Sequence, residues 1–90
     1  MNITFDPAKD AANVTKHGIS LGSSGSLDWG NAWSWFDTRR DYGEARQVAL
    51  TTLKGRLYCV VFMDRGDERH IISLRKANQR EFDRYETETD

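Results

Sequence analysis

Arg75, Lys76 and Arg80 crowd the point where a long apolar run gives way to Asn78-Gln79-Arg80-Glu81. That tetrapeptide sets an N-cap residue three positions before a glutamate, a capping-box pattern that opens a helix. Cations at a strand-to-helix junction, together with orphan backbone N–H groups and the positive end of the helix dipole, make a phosphate site. Arg46 joins this set if its strand lies alongside. Glu44 and Glu81 are carboxylates that could accept a proton, although capping alone accounts for Glu81. Tyr85 follows Glu81 by four positions and Phe82 by three, a spacing that suits packing on one helix face. No metal set is expected, because His17 and His70 are far apart, Cys59 stands alone and no aspartates cluster. No cofactor is expected either.

The elements that must position these groups follow from pattern. Leu57 to Met63 is apolar on both alternating faces, with Leu57, Cys59, Val61 and Met63 on one and Tyr58, Val60 and Phe62 on the other, which predicts a central strand covered on both sides. Asp64-Arg65-Gly66-Asp67 reads as a polar link to a second strand, Arg69 to Leu74. Strict alternation there puts Arg69, Ile71, Ser73 and Arg75 on one side and His70, Ile72 and Leu74 on the other. The C-terminal helix should run to about Tyr85 or Glu86. Upstream, Asp6-Pro7 can cap and start a helix that Gly18 ends, giving Pro7 to His17 with Lys16 and His17 in the last turn, where cations suit the dipole. Asn2 to Phe5 is a short strand candidate. Leu21 to Trp29, rich in glycine and serine, is a loop or a weak second helix.

Trp33 and Trp35 alternate with Ala32, Ser34 and Phe36, which suggests a strand with both indoles on one face. Such tryptophans are more often core or interface residues than base-stacking platforms. After a polar turn from Asp37 to Gly43, Glu44 to Leu53 forms a strand that pairs through Lys54-Gly55 with the central one. The expectation is one α+β domain over residues 1–90: a twisted four-stranded antiparallel meander from about Trp33 to Leu74, with helices before and after it on one face.

Thirteen lysines and arginines against fourteen acidic residues leave a formal charge of −1, so no global basic field advertises nucleic acid. The distribution says more. Arg65, Arg69, His70, Arg75, Lys76, Arg80 and Arg84 fall in one stretch, followed by an acidic tail with Glu86, Glu88 and Asp90. A lone cysteine in an apolar strand fits a reducing compartment, and no apolar stretch has the length of a membrane span or of a signal peptide's core, so a cytoplasmic location is expected.

Taken in order, F-D-P-A-K near the start, K-H-G closing the first helix, D-Y-G-E-A-R before the third element, and R-G-D with I-I-S-L-R-K-A-N-x-R-E and Tyr85 resemble the BrnT family of type II toxin–antitoxin toxins. The resemblance implies a RelE-like fold, an endoribonuclease activity that blocks translation, and a BrnA-type ribbon-helix-helix antitoxin as partner in a hetero-oligomer, with operator DNA reached only through that antitoxin. Cleaving RNA without a metal requires a base for the 2′-hydroxyl proton, cations for the crowded phosphorane and an acid for the 5′-oxygen. Arg75, Arg80 and Arg46 are the candidate charge stabilisers, and His17, the histidine of the K-H-G motif, and Glu44 the candidate proton carriers. Lys16, Arg40, Lys76 and Tyr85 are the candidate RNA contacts. The competing expectation is a protein-binding module without catalysis, acting with its antitoxin in operator repression. A plain RNA-binding domain fits less well, because neither an RNP-type aromatic motif nor a strong basic stripe is present.

Overall fold

The computed structural model describes residues 1–39, 41 and 43–90. Its elements are β1 (Asn2–Thr4), α1 (Pro7–His17), 3₁₀ segments at Leu21–Ser26 and Trp29–Asn31, β2 (Trp33–Phe36), β3 (Gln47–Leu53), β4 (Arg56–Arg65), β5 (Glu68–Lys76) and α2 (Gln79–Thr89). The strand order is β1-β5-β4-β3-β2, so the strand expected to be central is the middle one. Two expectations of strand number and connection are corrected. The sheet has five strands, because β1 pairs in parallel with β5 through Asn2↔Glu68 to Thr4↔His70, and is therefore mixed. The β4–β5 connection is also shorter than expected: Asp64↔Arg69 and Arg65↔Glu68 still pair, leaving Gly66 and Asp67 as the turn.

Local signals set α1. Asp6 accepts from the Ala8 N–H, Pro7 occupies the first helical position, and Gly18 takes the left-handed conformation (φ 73°) while its N–H donates to Val14. The helix has little apolar surface, and polar side chains anchor it: Asp10 Oδ1 accepts from Ser20 Oγ (2.9 Å) and the Leu21 N–H (2.7 Å), and Asn13 ties it to β5. β1 pairs with β5 only as far as His70, so the backbone edge of Leu74 would otherwise be bare. Asn13 covers it: its side-chain amide donates to Leu74 O (2.9 Å) and Ile19 O (2.9 Å) and accepts from the Leu74 N–H (3.2 Å). Asn13 is buried and satisfied at both ends, as a buried amide must be.

A β-bulge decides which way the catalytic candidates on β5 face. Val61 pairs with Ser73 and Phe62 with Ile71, so Ile72 is an extra residue. Strict alternation therefore fails. Ile71 and Leu74 lie on one face, buried together with Leu21, Leu27, Ala49, Val60 and Phe62. Arg75 lies on the other, beside Cys59 and Glu81.

The helical elements divide between the two faces instead of sharing one. The Leu21–Ser26 segment, which is 3₁₀ because its glycines and serines are poor α-helix formers, seals the first face with Leu21 fully buried. On the second face, α2 covers a cluster of Val48, Leu50, Leu57 and Cys59, with Tyr85 and Ala77 packed against it. α2 crosses the sheet from β5 toward β2: it starts where Ala77 N–H donates to Leu57 O, and Tyr85 OH reaches Asn31 O (3.3 Å).

Candidate active site

The capping box forms as expected. Asn78 Oδ1 accepts from the Glu81 N–H (2.8 Å), and Glu81 Oε1 accepts from the Asn78 N–H (2.9 Å). Glu81 has a second duty that its capping role hid. The Arg75 guanidinium donates from Nη1 to Oε1 (2.8 Å) and from Nη2 to Oε2 (2.9 Å), a bidentate pair linking the end of β5 to the first turn of α2. The Arg75 hydrogen bonds, opposed by partial burial, hold the Glu81 carboxyl below the usual carboxylate range, and the same bonds raise Arg75 above its ordinary value. At neutral pH both are charged.

Beside this pair lies a cleft of about 330 Å³ that α2 leaves open on its face of the sheet. Val48 and Val61 form its floor, Trp35 and the Asp37-Thr38-Arg39 segment its far side, and Arg75 with Glu81 its near side. Arg39 is fixed at the rim by Asp37, which accepts from its Nε (2.9 Å) and Nη2 (2.9 Å). The Arg39 side chain is 82% exposed, whereas that of Asp37 is 5% exposed. Cys59 also lines the cleft, but burial pushes its thiol up to about 11, against the lowering influence of Arg75, so it is protonated and no nucleophile at neutral pH. Arg84 lies over Trp33 (4.9 Å) and Trp35 (5.5 Å), and the two indoles pack at 4.7 Å on one face, as their alternation implied.

The remaining candidates are dispersed. Arg80 is exposed in the first turn of α2, and Lys76 lines a separate cleft of about 330 Å³ with Arg56 and Phe82. Arg46 precedes β3, and its carbonyl accepts from the Asp37 N–H (2.8 Å), so its backbone supports the rim that carries Arg39. Tyr85 packs on the α2-covered cluster. Glu44 is bound by Arg65 in a bidentate pair (2.9 and 3.0 Å), whose hydrogen bonds lower its carboxyl's pKa. Arg65 follows Cys59, the residue opposite Arg75, by six positions along β4, or roughly 20 Å at the rise of a strand, so Glu44 is not in the Arg75 site. Lys16 and His17 end α1, which packs on β5 and the Leu21–Ser26 segment. No hydrogen bond among the described residues joins either of them to Arg75 or Glu81. Arg40 lies outside the described residues, as does Tyr42 of the D-Y-G-E-A-R motif. Sequence reasoning missed Arg39, Asp37 and the pairing of Glu81 with Arg75. The signal for the last was present, since a capping box at this junction turns the N3 glutamate back toward the end of the preceding strand.

Among the described residues, no group of three or more His, Cys, Asp or Glu side chains could hold a metal ion, and no helix is long and apolar enough to cross a membrane. Residues 5–81 match a family described as the ribonuclease toxin of type II toxin–antitoxin systems, and the match takes in both α1 and the Arg75–Glu81 junction. That defines the class: a toxin whose partner is an antitoxin. Within it, the chain belongs to the BrnT family. No curated protein matches the chain.

Proposed function

We propose that this chain is an endoribonuclease that acts without a metal, with Arg75 at its catalytic centre, and that a BrnA-type ribbon-helix-helix antitoxin holds it inactive. The observation that carries the reading is the Arg75–Glu81 pair at the mouth of an open cleft. In the reaction the 2′-oxygen bonds to phosphorus and the P–O5′ bond breaks, leaving a 2′,3′-cyclic phosphate and a 5′-hydroxyl. Water carries away the 2′ proton and supplies one to the 5′-oxygen. Negative charge grows on the phosphorane oxygens, and a guanidinium held in place before the substrate arrives stabilises it without reorganising. Arginine suits this role because it stays charged and its planar fork keeps N–H donors beyond those given to Glu81 and to the Lys76 carbonyl (3.3 Å). Arg80 and Lys76, on the same junction, and Lys16 add positive potential along the RNA path; Tyr85 serves packing first. Cleavage of messenger RNA would block translation, and operator DNA would be met only through the antitoxin.

The test incubates the free chain with RNA in EDTA and identifies the product ends. A 2′,3′-cyclic phosphate and a 5′-hydroxyl are expected. Arg75→Ala should fold normally and lose about 10²–10³ in rate, with Arg75→Lys recovering little. A folded wild-type chain that leaves RNA intact, yet still binds its antitoxin, would instead establish a binding module acting in operator repression.

A further inference from the structure

We infer that the cleft beside Arg75 is a nucleotide subsite, in which an RNA base stacks on Trp35 above the Val48–Val61 floor while its phosphate lies between Arg75 and Arg39. This deepens the ribonuclease reading and rests on it. The floor, the size and the walls of the cleft each bear on its occupant. α2 crosses the sheet and leaves apolar surface uncovered: Val61, on the same face as buried Leu57 and Cys59, is only half-buried. The floor is apolar and open to solvent at Val61, with Val48 and Cys59 buried beside it, and an open apolar floor among polar walls is the usual make-up of a ligand cleft. The cleft, at about 330 Å³, is at the small end of the range for small-molecule sites and has room for about one nucleotide.

The walls give the occupant's chemistry. Trp35 is half-buried and lines the cleft, an indole that packs on Trp33 and lies under Arg84. Indole faces stack on bases of any sequence, and arginine over the ring reinforces such platforms. Trp29 differs: it belongs to the opposite, sealed face, donates from Nε1 to Ser24 O (2.9 Å) and packs edge-on against Phe62 (5.2 Å). It has no part in the subsite. The cations stand on opposite sides of the cleft, each oriented by its own carboxylate, Arg75 by Glu81 and Arg39 by Asp37. Preorganised arginines on two walls and an aromatic platform between them fit an anion attached to a flat heterocycle better than either alone.

The experiment titrates the folded chain with 2′-O-methyl hexanucleotides, which lack the attacking hydroxyl, and follows indole N–H signals together with anisotropy of the labelled oligomer. The Trp35 signal should shift and that of Trp29 should not. Trp35→Leu should weaken binding about 10-fold and Trp35→Phe far less, while Arg39→Gln should weaken it about 10-fold and reduce its salt dependence. Leucine keeps the apolar character but lacks a ring, so loss in Trp35→Leu with recovery in Trp35→Phe, at unchanged melting temperature in both, separates stacking from fold support. Binding that depends on Trp35 in a chain that cleaves no RNA would leave the subsite standing and remove the ribonuclease. Cleavage with oligomer affinity unchanged in Trp35→Leu and Arg39→Gln, or no binding by the wild-type chain, would overturn the subsite.

Discussion

The two faces of the sheet use the same residue types to opposite ends. On the face closed by the Leu21–Ser26 segment, Leu21, Val60, Ile71 and Leu74 are all at 0% exposure. Arg69 lies there over the rings of Phe62 (4.4 Å) and Trp29 (4.6 Å), with Asp64 accepting from its Nε (2.7 Å) and Nη2 (2.9 Å). That arginine finishes the edge of a core. Arg75 makes an equally good carboxylate pair on the other face, but beside a cleft rather than on rings. An ion pair alone therefore says nothing about function. What surrounds it does, and the bulge at Ile72 is what sends Arg69 to one face and Arg75 to the other. Bulges re-aim side chains near functional sites, and this one separates an arginine packed on core rings from one that borders an open cleft.

The comparison breaks most visibly in β4, where adjacent valines face the two sides. Val60 is fully buried on the closed face, whereas Val61 borders the cleft and is half-buried. Val60→Asp should cost more than about 4 kcal/mol, since it buries a charge without a partner. Val61→Asp, the change that the apolar run alone marks as damaging, should cost about 1–2 kcal/mol because the carboxylate reaches water through the cleft. Thermal or urea melts of both variants decide it. Equal losses would mean that the α2 face is as closed as the other.

Much of this architecture is legible in local residues, and the limits follow from which interactions are local. Asp6-Pro7 and Gly18 bracket α1 because capping depends on a few neighbouring residues. Asn78 and Glu81 announce α2 for the same reason, though the helix continues to Thr89, past its expected end at Tyr85 or Glu86. Lys54-Gly55 turns β3 into β4 with both residues at positive φ (50° and 77°), as a two-residue hairpin requires. The pairing of β1 with β5 is different. It joins residues more than sixty positions apart, and nothing in Asn2–Thr4 names its partner. The bulge is equally hidden, because the alternation of β5 reads smoothly through Ile72 and only the register against β4 reveals the extra residue. For the site, the basic junction is visible in sequence, but the cleft is not, since it depends on how much of the sheet α2 covers. Glu44 drops out of the Arg75 site because Arg65, a residue of the expected turn, lies in the strand and holds it.

Glu81 sharpens the contrast between the paired arginines at a smaller scale. Its folded-state pKa lies below the unfolded value, so its contribution to stability is full above about 4.5, the ordinary glutamate value, and is lost as pH falls through the folded pKa. Glu81→Gln keeps a capping side chain but removes the charge, and should cost about 1 kcal/mol at pH 7. The gap from wild type should close below about pH 4.5, because the protonated glutamate is then as weak a partner as the amide. Asp64 and Glu44, also held below their ordinary values, titrate in both proteins and cancel in the difference. In catalysis, Glu81→Gln should lower kcat about 10-fold without raising KM, since Arg75 loses its orientation but keeps its charge for the ground-state phosphate. A loss of 10³ or more would instead assign Glu81 to proton transfer.

The smallest effect belongs to Arg80, which shares the junction with Arg75 but not its surroundings. Arg80 is exposed, and neither its guanidinium nor its backbone lines the cleft that Arg75 borders. An exposed cation outside the cleft would act on bound RNA through a screened field, so Arg80→Ala should reduce kcat/KM only about two- to five-fold at physiological salt. The reduction should grow at low ionic strength and vanish near 1 M salt, where the screening length falls to about 3 Å. Arg80→Lys should restore the rate, because a point charge does not depend on the shape of the group that carries it. Arg75→Lys should not, because in the proposed role the guanidinium acts as a fork, and Glu81 holds that fork in a bidentate pair. Rates measured for all four variants across a salt series therefore test the division directly. If Arg80→Ala loses as much as Arg75→Ala, at every salt concentration and without rescue by lysine, then Arg80 swings into the cleft when RNA binds, and the catalytic centre contains both arginines of the junction.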